Sequence, residues 1–133
     1  MTTPSRLIAL LIFSLILSGC ASFPLGDAAA VASRLVPPER ASNFLLLDLT
    51  NSQTPPRDLL ATLRGARASG LYVALVASKA ERIREHLGQA LARGTDGELS
   101  GLHLIIVADR VAPELFAELF AGQGFDVRYG AYR

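Results

Sequence analysis

The chain has 133 residues, with 13 Lys and Arg against 12 Asp and Glu, and half of its residues are apolar. That length allows one compact domain with its own core. The balanced charge gives no electrostatic case for nucleic-acid binding, and the single cysteine excludes an internal disulfide.

Met1 to Arg6 is a short polar head with one positive charge. Leu7 to Leu17 follows as eleven residues, all apolar except Ser14. A membrane-spanning helix needs roughly 20 such residues. A charged head, a short apolar core and a small-residue cleavage site read instead as a secretory signal.

The run ends in Leu17-Ser18-Gly19-Cys20. This motif resembles the lipobox of bacterial lipoproteins: a branched apolar residue, two small residues, then cysteine. The resemblance implies removal of residues 1–19 and acylation of Cys20 on its sulfur and its freed amine. One acyl chain anchors only marginally, at about 0.8 kcal/mol per buried CH₂, whereas two or more hold stably. Residue 21 is Ala rather than the Asp that resembles an inner-membrane retention signal. The resemblance therefore implies the outer membrane, with the domain facing the periplasm. Loss of Arg6 would leave twelve basic and twelve acidic residues, Lys79 being the one Lys. Two separated histidines and an acylated cysteine make a Cys/His metal site an unpromising expectation.

Residues 20–42 read as the lipidated N-terminus and a short helical linker. Asp27 to Val36 is Ala-rich, with Asp27 as the expected N-cap and Pro37-Pro38 as the stop. Residues 43–133 read as a small α/β domain. Without a long tether, it should sit within a few tens of ångströms of the membrane, since an extended residue spans at most ~3.3–3.6 Å.

Phe44 to Leu49 reads as a first strand. Thr54, followed by Pro55-Pro56, predicts a helix start; Leu59, Leu60 and Leu63 line its apolar face and Gly70 ends it. Leu71 to Ala77 reads as a second strand. Ser78 to Glu81 has capping-box spacing, and Ile83, Leu87, Ala90 and Leu91 give the next helix its period. Leu102 to Ala108 reads as a third strand. Pro113 should open a third helix with Leu115, Phe116, Leu119 and Phe120 on one face, and Asp126 to Tyr132 a fourth strand. Near-continuous apolar strands alternating with helices predict a three-layer domain around a mostly parallel sheet of about four strands. The order of the strands stays open.

In such a sheet the C-terminal strand ends share one edge, where open α/β folds place ligands. Asp48, Thr50, Ser78, Lys79, Asp109 and Arg110 are the ligand-binding candidates there. The strand ends LLLD at Asp48, LVAS at Ser78 and IIVAD at Asp109 resemble those of haloacid-dehalogenase-like hydrolases. That resemblance implies Asp48 as phosphoryl acceptor, Ser78 as phosphate contact and Asp109 as magnesium ligand. Thr50 stands where the family usually has a second Asp, and no separate downstream Lys matches. The structural alternative is that Ser78 caps a helix while Asp48 and Asp109 bind loop amides.

A looser resemblance spans Val31 to Leu75. A helix, Leu35-Val36-Pro37-Pro38, a strand, then a helix ending Ala68-Ser69-Gly70-Leu71 is similar to small lipoproteins of conjugation and type IV secretion machinery. It implies an assembly component. The leading expectation is a non-catalytic envelope interaction domain, with Val127, Tyr129 and Tyr132 on an edge strand as candidate contacts. The alternative is a magnesium-dependent phosphohydrolase or a phospho-ligand-binding module.

Overall fold

The computed structural model describes residues 23–40, 43–51 and 53–133. The apolar run, the Leu17–Cys20 motif and Cys20 itself lie outside the described residues. No helix among the described residues is long and apolar enough to cross a membrane.

Four strands form one all-parallel sheet in the order β1-β2-β3-β4: β1 Phe44–Asp48, β2 Tyr72–Val76, β3 His103–Ala108 and β4 Asp126–Ala131. Every residue of β2 is buried, as is every residue of β3 except His103, whereas β1 and β4 are partly exposed. The strands buried along almost their whole length thus take the centre, and the edges fall to β1, which ends in Asp48, and β4, which carries Asp126 and Arg128.

The helices are α1 Leu25–Leu35, α2 Pro56–Ser69, α3 Ala80–Leu91 and the single turn α4 Ala117–Phe120. Right-handed crossovers that always step the same way across a sheet put every connecting helix on one face. The core follows that rule. Leu59, Leu60 and Leu63 of α2, Ile83 and Leu87 of α3, and Phe116 pack against Val73, Leu75, Leu104 and Ile106.

The opposite face carries Tyr72, Ala74, Val76, Ile105 and Val107. No crossover can reach it. It is closed by α1, whose Ala28 and Ala32 are fully buried. This corrects the expectation of a helical linker at 20–42. The helix is the third layer of the domain, because a sheet apolar on both faces needs a cover on both.

Gly130 of β4 marks how closely α1 approaches. A Cβ there would lie 2.6 Å from Val31 Cγ1 and 2.9 Å from Leu35 Cδ1.

Four local expectations are corrected. Helix α1 begins at Leu25 behind Pro24, so Asp27 lies in its first turn rather than at its cap. Helix α2 begins at Pro56 with Pro55 as N-cap, where Thr54 was expected. Lys79 is the N-cap of α3 and makes no side-chain cap bond, so the box expected from Ser78 does not form. The third crossover is a 3-10 turn, Pro113–Phe116, followed by α4, rather than one continuous helix. Within it Phe116 is fully buried and stacks on Phe120 with ring centroids 5.3 Å apart. Gly70 does end α2, in the left-handed region at φ 71°.

Candidate functional site

Parallel strands and antiparallel helices bring the strand C-termini and the N-termini of α2 and α3 to one edge. Helix α1 also starts there. Phe23, two residues before it, packs edge-on against Tyr132 just past β4, with centroids 5.5 Å apart, while the Leu35 carbonyl near its other end accepts a 2.6 Å bond from Arg128. All six candidate residues lie on this edge, but they do not form one cluster.

Lys79 and Asp109 meet. Lys79 Nζ donates to Asp109 Oδ2 at 2.9 Å, and the Arg110 backbone N–H donates to Oδ1 at 2.7 Å. The Asp109 carboxyl is held below its ordinary range, chiefly by the Lys79 ammonium and further by the Arg110 amide. The pairing follows from topology: β2 and β3 are neighbours, and the Asp109 N–H continues the ladder by donating to the Ser78 carbonyl.

Asp48 is elsewhere. Strand β2 lies between β1 and β3, so the ends bearing Asp48 and Asp109 are two strand spacings apart, about 10 Å. The exposed Asp48 carboxylate accepts the Thr50 N–H at 2.9 Å, a local turn bond. Thr50 Oγ1 is buried without a partner among the described residues. Arg82 of α3 reaches across to the Leu49 carbonyl at 3.4 Å. No group of three or more His, Cys, Asp or Glu residues gathers among the described residues. Asp48 and Asp109, which the hydrolase resemblance pairs, end strands that are separated by β2.

A cavity of about 730 Å³ opens beside the Lys79–Asp109 pair. It is lined by Lys79, Glu81, Asp109, Arg110, Leu115 and Arg133, among others. Asp48, Thr50 and Ser78 are not part of it. Glu81 and Arg133 were missed by sequence reasoning. Glu81 was legible as the first turn of α3, whereas Arg133 reaches the cavity only because β4 lies beside β3.

The opposite edge holds a second polar cluster. His103 Nδ1 lies 2.8 Å from Asp126 Oδ2, and its ring stacks on Tyr72 at 4.4 Å. The Arg128 guanidinium also lies over the Tyr72 ring, its carbon 5.6 Å from the centroid. His86 sits on α3, where burial and the nearby Arg82 lower its pKa.

No protein-family model, curated protein or solved structure matches this chain.

Proposed function

We propose that this chain is a lipoprotein anchored through Cys20 to the outer membrane, where it acts as a non-catalytic interaction component of a periplasmic envelope complex. The observation that carries the reading is the position of Leu17-Ser18-Gly19-Cys20 directly after an eleven-residue apolar run. The separation of Asp48 from Asp109 by β2 favours this reading over a phosphohydrolase. The sheet offers two edge strands, β1 and β4, and an edge strand can pair with a strand of another chain.

Edge β1 is the better candidate of the two. Its Phe44-Leu45-Leu46-Leu47 run is partly exposed and carries no charge, Pro or Gly to discourage pairing. Edge β4, by contrast, has Asp126, Arg128 and Gly130 within it.

The test is in-cell crosslinking of the lipidated protein, affinity capture and mass spectrometry, with Cys20→Ala in parallel. A reproducible envelope partner that disappears in Cys20→Ala is the expected result. Recovery of no envelope protein at native expression would overturn the reading, as would an unchanged partner set in Cys20→Ala.

A further inference from the structure

The short chain between Cys20 and the fold decides which part of the domain meets the membrane. Only three residue steps separate Cys20 from Phe23, a reach of at most about 11 Å. Phe23 is fixed against Tyr132 at the C-terminal edge of the sheet. That same edge carries the cavity between Lys79, Arg110 and Arg133. The opposite edge, with His103 and Asp126, lies a full strand length away, about 20 Å for six residues.

The cavity has the chemistry of a headgroup site. Asp109 neutralises Lys79. The guanidinium groups of Arg110 and Arg133 make no hydrogen bond or ion pair among the described residues, and both residues are exposed. A guanidinium binds a phosphate through paired, charge-assisted hydrogen bonds. Glu81, on the same lining, supplies the opposite charge for an amine. A volume of about 730 Å³ is ample for a phosphoethanolamine group. Lying next to the start of α3, the cavity also gains from the positive end of a twelve-residue helix.

The geometry points to a membrane-facing phospholipid site: the C-terminal edge of the sheet lies on the bilayer, and its cavity takes a phosphoethanolamine headgroup, phosphate to Arg110 and Arg133 and amine to Glu81. This rests on lipidation of Cys20. The site would hold the domain in one orientation and turn the β1 edge sideways, where a partner strand can reach it.

The experiment uses the full lipidated protein, extracted from membranes and reconstituted in phosphatidylethanolamine vesicles. Acylated Cys20 has no free thiol, so one introduced cysteine is the only site for a spin label. Glu114→Cys reports the C-terminal edge and Ser69→Cys the opposite one; both residues are exposed. Relaxation by a nickel-chelating headgroup lipid is expected to be several-fold stronger at position 114 than at 69. The tether keeps the sign of this difference and the headgroup contact sets its size, so it should fall at least twofold in phosphate-free glycolipid vesicles, and also in the Arg110→Glu, Arg133→Glu double variant. Equal relaxation at the two positions in protein with acylated Cys20 would overturn the orientation and the membrane-facing site with it. A difference left unchanged by phosphate removal or by charge reversal would overturn the headgroup site. Absence of an acyl group on Cys20 would overturn the anchored reading itself and this inference with it.

Discussion

The two faces of the sheet are closed in different ways. On the crossover face, α2, α3 and the 3-10 turn bring large side chains, among them Leu63, Ile83, Leu87 and Phe116, all fully buried. On the other face, α1 and its flanks supply the cover, with the small Ala28 and Ala32 fully buried between Val31, Leu35 and Val36 and set close against β2, β3 and β4. The first face is packed by volume and the second by proximity. The difference arises from strand order. A sheet wound 1-2-3-4 spends all its crossovers on one side, so only a segment before β1 or after β4 can cover the other. Here the preceding segment is also the one that leads to Cys20, so the fold and the proposed anchor share an element.

Truncation should hurt most where volume does the packing. Leu87→Ala removes a fully buried side chain between α3 and the sheet, and should cost about 2–5 kcal/mol in chemical denaturation. A cost below 1 kcal/mol would mean that the crossover face is loosely packed.

Addition should hurt most where proximity does. Gly130→Ala places a methyl group against Val31 and Leu35, and overpacking of this kind costs roughly 1–3 kcal/mol. Hydrogen exchange sharpens the contrast. Amides of α1 should exchange faster in this variant, while those of α2 and α3 keep their protection. An unchanged α1 would show that the helix does not pack on Gly130 in solution.

A smaller effect concerns how α2 is fastened to the loop before β3. Arg64 grips Glu98 with two bonds of 2.8 and 3.0 Å, and the Thr95 N–H adds a third at 2.7 Å. The Arg64 guanidinium, first, and the Thr95 amide hold the Glu98 carboxyl down to about 2. A carboxyl lowered on folding stabilises the fold above its unfolded pKa, here near 4.5, and the contribution fades as pH falls from there toward 2. The pair is at the surface, so salt should weaken it. Denaturation midpoints at pH 6 and pH 3 should therefore differ more in the wild type than in Glu98→Gln. The same difference in both proteins would remove the pair from the account.

Much of this architecture was legible from local chemistry. The apolar runs of β2 and β3, the left-handed Gly70 and the period of α3 each act within a few residues, and each stands where the sequence places it. Long-range facts were not legible. Ala28, Val31, Ala32 and Leu35 do fall on one helix face, but where that face docks depends on a sheet face that only strand order leaves bare. Phe116 and Phe120 have the spacing of a continuous helix face, yet the segment is a 3-10 turn followed by one helical turn, with Phe116 buried beside Tyr129 and the half-buried Phe120 edge-on to Phe125.

The candidate site divides along the same line. That Asp48, Ser78 and Asp109 end strands on one edge follows from parallel alternation. That Lys79 pairs with Asp109, and that Asp48 stands two strands away from Asp109, follows from which strand neighbours which. Arg133 entered the cavity by the same route, through the pairing of β4 with β3.

The account depends most on Cys20, and the most direct measurement is the mass of the N-terminal peptide of the protein extracted from membranes. The predicted result is a peptide that begins at Cys20 and carries a diacylglyceryl group on sulfur and a further acyl chain on the amine. A peptide that retains Leu7 to Gly19, or one in which Cys20 bears a free thiol, would contradict it.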